Sequence, residues 1–166
     1  MNQITETIKK RRSVRKYLDK PISKEILQEL IDTGRLAPTA RNEQPWEFVV
    51  VTNRELLRKV GGVTDHGKFI CDAAACIVVC CRDTKYFLED GSAATENIIL
   101  AAESFGVCSC WVAGHKKAYC EDIKKILGVP DNLIIISLIS IGYPDPLEKT
   151  SKQKKGLDEV LHWEKF

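Results

Sequence analysis

In Leu88-Glu89-Asp90-Gly91-Ser92-Ala93-Ala94-Thr95-Glu96-Asn97-Ile98-Ile99-Leu100-Ala101-Ala102-Glu103-Ser104-Phe105, the residues Ala94, Ile98, Ala101, Ala102 and Phe105 recur at helical spacing, and Ile99 and Leu100 widen the apolar face. A helix that is apolar over so much of its girth predicts a buried spine rather than a surface element. Gly106 ends it. The flanking runs, Ala74 to Cys81 before it and Val107 to Val112 after it, are short and apolar and read as buried strands. Farther out, Phe48-Val49-Val50-Val51 and Leu133 to Ile141 read the same way.

Helical patterns separate these strands. Residues 3 to 12 carry Ile4 and Ile8 one turn apart and end in an arginine cluster. Ser23 can cap a second helix, whose Ile26, Leu27, Leu30 and Ile31 form one stripe before Gly34 and Pro38 stop it. Arg54 to Val60 and Lys116 to Leu127 supply two more. Strands interspersed with helices of unequal length give an α+β or α/β layered sheet. No internal repeat or low-complexity segment interrupts the pattern.

The 166 residues fit one domain, 1–166, large enough to bury roughly 70% of its unfolded surface. A net charge of +2 is too small for a general nucleic-acid binder, and the positive charge is local, at Lys9 to Lys16 and Lys149 to Lys155. The longest apolar stretch, Leu133 to Gly142, is about half of what spans a bilayer, and the first residues lack a secretory pattern, so the expected location is the cytoplasm, with no membrane partner. Seven cysteines, an odd number without a C-x-x-C spacing, predict buried reduced thiols rather than a metal site. The polar segment from Glu148 to Gly156 leads to Leu157, Val160, Leu161, Trp163 and Phe166, which want burial. Residues 148–166 therefore read as a C-terminal arm that packs on a second subunit.

Two segments carry chemistry. Arg11-Arg12-Ser13-Val14-Arg15 gathers guanidiniums that repel by a few tenths of a kcal/mol per neighbour pair, so an anion, in the first instance a phosphate, is the simplest partner. Ala37-Pro38-Thr39-Ala40-Arg41-Asn42-Glu43-Gln44-Pro45-Trp46 lies on a loop and offers a polar ledge for a planar ring. Against these stand plainer readings: the arginines as a solvated cap of the first helix, Trp46 and Trp111 as core residues, and Asn97 as a satisfied buried amide. No G-x-G-x-x-G or G-x-x-x-x-G-K-[ST] occurs, which argues against a dinucleotide in a Rossmann crevice or a P-loop nucleotide.

The chain resembles the FMN-dependent nitroreductase family in its short single-domain form. Arg11 to Arg15 looks like the family's opening R-x-S-x-[RK] signature and Ala37 to Trp46 like its A-P-S-x-x-N-x-Q-P-W signature. Gly91 to Ala102 is similar to the central helix, Gly106 to Gly114 to the strand beside the flavin, and Ile141-Gly142-Tyr143-Pro144 to the turn after the last core strand. The resemblance implies an α+β fold, a three-layer α/β/α sandwich around a mixed, mainly antiparallel sheet, in an interlocked homodimer. It also implies an oxidoreductase that uses NADH or NADPH to reduce nitroaromatic, quinone or flavin acceptors by ping-pong hydride transfer through flavin N5.

By the same resemblance Arg11 and Ser13 hold the FMN phosphate and ribityl chain, Arg12 assists by side chain or backbone, and Arg15 lies at the pyrimidine edge. Pro38, Thr39, Ala40 and Asn42, with Gln44 nearby, come from the partner subunit. Ala113 and Gly114 present backbone N–H groups near N5 with Trp111 as neighbour, His66 stands where longer members place asparagine, and Lys152 and Lys154 reach back to the phosphate. Lysine at 154, where arginine is usual, and Gly156, where proline is common, weaken the phosphate grip. The short connection between Cys81 and Leu88 leaves no room for capping helices. Rival readings are a specialised flavin enzyme such as a reductive dehalogenase, a flavin-binding module without turnover, and a small basic nucleic-acid binder.

Overall fold

The computed structural model describes residues 2–147 and 153–166. Helix α1 (Gln3–Lys10) is capped by Asn2, whose side chain accepts from the Ile4 N–H, and α2 (Lys24–Arg35) by Ser23, whose hydroxyl accepts from the Ile26 N–H at 3.3 Å, as its sequence predicts. Then follow β1 (Trp46–Val51), α3 (Arg54–Val63), β2 (Ala75–Arg82), α4 (Phe87–Ser104), β3 (Cys108–Ala113), α5 (Cys120–Leu127) and β4 (Leu133–Gly142). None of these helices is long and apolar enough to cross a membrane.

The strands form one sheet in the order β1-β2-β4-β3, and every neighbouring pair is antiparallel. The parallel component among the described residues is a single bridge between Ser13 and Ser109. Period-two alternation explains why β2 reads as an unbroken apolar run. Ala75, Ile77, Val79 and Cys81 pack with Leu27 and Leu30 of α2 and Ala94 and Ile98 of α4, while Cys76, Val78 and Cys80 pack with Leu57 and Val60 of α3 and Ile123 of α5. Both faces of the sheet are covered, which makes a three-layer α/β/α sandwich.

Helix α4 is the expected spine, with Ala94, Ile98 and Ala102 sealed from solvent. It ends where Gly106 takes φ +68° and the Val107 N–H folds back to Ala102 O at 2.9 Å. Its polar residues are spent inside the fold. The Thr95 hydroxyl bonds Ser137 Oγ at 2.7 Å within the core, and Asn97 donates to Thr33 O at 3.1 Å near the end of α2, so the satisfied-amide reading of Asn97 holds.

Three local readings need correction. Gly34 does not stop α2; it lies inside the helix, and a Cβ there would sit 2.8 Å from Ile98 Cγ1, so it permits the close crossing of α2 on α4. The helix expected from Lys116 begins only at Cys120, because residues 116–119 form a turn in which Lys116 adopts φ +64°. Trp46 is buried, but Trp111 is 38% exposed, since it lies on β3, an outermost strand of the sheet, where among the described residues the chain at Ser13 and Val14 covers Ser109 alone.

Candidate functional site

The first helix ends one residue before the arginine cluster. Arg11 closes α1 through its N–H to Thr7 O at 2.9 Å, and the Arg12 guanidinium turns back onto the helix, donating to Lys9 O, Lys10 O and Arg11 O at 2.7, 3.2 and 2.9 Å. For the Arg12 side chain the helix-cap reading therefore applies, the cation meeting the negative end of the helix dipole. The chain then runs alongside β3. Ser13 bridges Ser109, the Val14 N–H donates to Ser109 O at 3.0 Å, and the Tyr17 hydroxyl bonds both Val14 O at 2.6 Å and Ser140 Oγ at 2.7 Å. With Val14 turned into the protein, the alternation of an extended chain puts its neighbours Ser13 and Arg15 on the other side, two residues after Arg11 closes the helix.

Arg15 opens onto a cleft of about 180 Å³ that Asp65, His66, Phe69, Trp111, Ala113, Lys117 and Tyr119 help to line. Its guanidinium carbon stands 5.7 Å from the centre of the Phe69 ring. Two cations, Arg15 and Lys117, share the cleft with His66 and one carboxylate, Asp65, which meets Lys117 Nζ at 3.9 Å. Aromatic walls and a cationic rim suit the edge of a flat, electron-rich ring carrying negative charge. Of the expected residues, Arg15, His66, Trp111 and Ala113 meet here.

Gly114 departs from its expected role. Its N–H, expected to face N5, already donates to Ile136 O at 3.1 Å, and a Cβ at 114 would lie 2.8 Å from the Ile136 backbone. Glycine is required there by the close pass of β4.

The loop 38–44 is a rigid ledge. Arg41, Asn42 and Gln44 adopt φ of +55°, +58° and +46°, a left-handed conformation that costs each non-glycine residue about 1 kcal/mol or more unless its surroundings compel it. The compulsion comes from α4. Asp90, only 4% exposed, accepts from the Thr39 hydroxyl at 2.7 Å and the Ala40 N–H at 3.2 Å, while Thr39 Oγ1 accepts from the Gln44 N–H at 3.2 Å. Gln44 Nε2 donates to Asn42 Oδ1 at 3.1 Å, and Arg82 holds the carbonyls of Glu43 and Gln44 at 3.0 and 3.2 Å.

This ledge is not beside the arginines. It leads into β1, one edge of the sheet, whereas Ser13 lies along β3, the other edge. Ser13 sits at the level of Ile141 and Trp46 at the level of Ile134. Ser13 and Trp46 are thus diagonal across the sheet, about 19 Å apart across the strands and about 20 Å along them. Within one chain Pro38, Thr39, Ala40, Asn42 and Gln44 cannot reach the cleft of Arg15. Lys154 is exposed, and Lys152 lies outside the described residues.

Three of the thiols lie in the core, away from the cleft. Burial pushes Cys76, Cys80 and Cys81 up to about 12, so they stay protonated and act as small core hydrophobes. Sequence reasoning missed Asp90, which looks like any acid in the first turn of a helix, and Tyr119, which sits in the turn misread as helix. Asp65, Phe69 and Lys117 carried no motif.

The site and the fold together describe an α+β protein with a cationic segment running beside β3 and an aromatic cleft on that sheet edge. The sequence profile of the nitroreductase family matches residues 8–65 and 66–143. A protein of Archaeoglobus fulgidus described as "Putative NADH dehydrogenase/NAD(P)H nitroreductase" is 39% identical over 151 residues, which cover 87% of each chain. A crystal structure from Bacteroides thetaiotaomicron with the same description superposes with a TM-score of 0.92 at 32% identity, covering 100% of this chain and 99% of that one. An FMN-dependent nitroreductase of Clostridium difficile superposes with a TM-score of 0.88 at 30% identity, covering 96% and 98%. The chain belongs to the nitroreductase family, an enzyme family.

Proposed function

We propose that this chain is an FMN-dependent oxidoreductase that uses NADH or NADPH to reduce nitroaromatic, quinone or flavin-type acceptors, with each site completed by a second copy. The observation that carries the reading is Arg15 at the aromatic cleft, with Ser13 on the same side of the extended chain and Arg11 just before them. Guanidinium forks and a hydroxyl match phosphate and ribityl oxygens, and Arg15 would face the negative charge that a reduced ring carries at its pyrimidine edge. His66 would border that edge, and Ala113, with Trp111 as its neighbour, would form the wall near N5. Bound FMN would supply the chemistry, accepting a hydride at N5 from the nicotinamide and passing it to an acceptor.

Two features support a homodimer. A cleft of about 180 Å³ is smaller than the roughly 300 Å³ or more of ordinary cofactor pockets, so one copy offers only part of a site. The ledge, on the opposite edge of the sheet from the cleft, would close the site of the other copy through Pro38, Thr39, Ala40, Asn42 and Gln44. The arm also supports association: Leu157, Trp163 and Phe166 are exposed at 69%, 78% and 107%. A second chain would cover them and bring Lys154, and with it Lys152, toward the phosphate.

With 83–86 alone between β2 and α4, no lid element covers the cleft there, which favours open, stacking-based recognition over a specialised reductive dehalogenase. Donor and acceptor would then share one face and exclude each other, so double-reciprocal plots should be parallel. The decisive test is anaerobic: the purified protein should be yellow and bleach on adding NAD(P)H. A yellow protein that keeps its colour would favour a binding module, and a colourless one that takes up no FMN would overturn the reading.

A further inference from the structure

The wall of the cleft at Ala113 is fixed from two sides. From the sheet, the β2–β4 register runs Val79↔Ser137 and Cys80↔Ile135, leaving Ile136 as a bulge. The Ile136 carbonyl accepts the Gly114 N–H at 3.1 Å and the His115 N–H at 3.2 Å. From the opposite side the turn before α5 covers both carbonyls. The Tyr119 hydroxyl donates to Ala113 O, while the Lys117 N–H and the Cys120 thiol donate to Gly114 O at 3.0 and 2.9 Å. That turn contains Lys116 at φ +64°, a strained conformation that persists only where surrounding bonds over-determine it.

We propose that Tyr119 is a positioning residue for the flavin, acting through the Ala113–Gly114 main chain that it clamps against the Ile136 bulge. The proposal rests on the FMN reading above. Tyr119 is 6% exposed, its ring packs in the core that contains Ile123 and Leu138, and its hydroxyl bonds a wall of the cleft it lines. Burial pushes that hydroxyl up to about 12, so it remains a donor throughout the working range. The clamp occupies the Ala113 carbonyl. A carbonyl released from Tyr119 would seek another donor, and a reduced flavin carries at N5 an N–H that the oxidised ring lacks. The clamp therefore restrains the preference for reduced over oxidised cofactor.

Tyr119→Phe removes the hydroxyl and keeps the ring. In the FMN-loaded protein, the affinity for reduced relative to oxidised FMN should rise about three- to tenfold, read as a midpoint potential roughly 15–30 mV more positive for a two-electron couple. Cys120→Ala, which frees only part of the Gly114 carbonyl, should shift it less and in the same direction, and it decides the matter if Tyr119→Phe does not fold. Variants that melt at lower temperature yet keep the wild-type potential would make Tyr119 merely structural and overturn the proposal. Wild-type protein that takes up no FMN would instead remove the reading beneath it, an outcome distinct from a yellow Tyr119→Phe variant with an unshifted potential.

Discussion

Replacing Asp90 by alanine should loosen the ledge from a distance. Asp90 contributes no atom to the ledge surface, yet its carboxylate receives the Thr39 hydroxyl and the Ala40 N–H, and through Thr39 it also fixes the Gln44 N–H. Hydrogen bonds to a charged acceptor contribute about 1.5–3 kcal/mol each. Thr39 and Ala40 are half-buried and can regain some water, so the pair should be worth about 2–4 kcal/mol in sum rather than the full arithmetic total. For a chain of this size that is a fall of roughly 5–15 °C in melting temperature. Three left-handed non-glycine residues would then lose what holds them, and the loop would relax toward ordinary conformations. Calorimetric melting of the apoprotein, with titration of FMN in parallel, should show the stability loss together with FMN binding weakened by about tenfold, equivalent to about 1.4 kcal/mol. Asp90→Asn, which keeps one acceptor oxygen, should fall between. An Asp90→Ala protein that melts within a degree or two of wild type and binds FMN equally well would refute the reasoning.

Gly34→Ala gains about 1 kcal/mol of helix propensity but forces a Cβ to within 2.8 Å of Ile98, an overpacking cost of about 1–3 kcal/mol, so urea unfolding should show a net loss; a more stable variant would contradict the close crossing. Thr95→Val should cost about 1–3 kcal/mol by stranding the Ser137 hydroxyl in the core, and adding Ser137→Ala should recover most of it; strictly additive losses would deny the pair. Alkaline pH should destabilise the fold. Burial raises the Cys76 thiol from 9.0 to about 12, so above pH 9 the unfolded chain releases a proton that the folded one keeps. The stabilisation is whole below pH 9 and falls by up to about 1.4 kcal/mol per pH unit as pH rises toward 12. Melting that stays level from pH 9 to 11 would count against a sealed thiol.

Much of the layering was legible because it depends on local period. The spine expected at Leu88 to Phe105 is α4 displaced by one residue, and the four apolar runs became four strands, of which β2 and β4 are buried on both faces and so leave an unbroken apolar signature. Gly34 was misread because a glycine that ends a helix and one that admits a neighbouring helix look alike until Ile98 is in place. The turn at 116–119 was misread because Lys116 adopts a left-handed conformation under tertiary compulsion that its own residue type does not advertise. Arg15 and Trp111 were picked out by motif, whereas Asp90 and Tyr119 act through contacts of 50 and 6 residues' separation that no spacing rule encodes. The strand order, with β4 between β2 and β3, and hence the diagonal placement of ledge and arginines, arises only from long-range pairing.

That diagonal placement makes subunit complementation the most direct test of a site shared between copies. Arg11→Ala/Arg15→Ala and Thr39→Ala/Asn42→Ala proteins should each retain little FMN alone. Dissociated, mixed and reassembled at random, they should regain about a quarter of the wild-type FMN stoichiometry, because half of the symmetric dimers become mixed and each mixed dimer holds one intact site and one doubly damaged site. Mixing that restores no FMN binding, from two variants that fold and associate, would contradict the shared site.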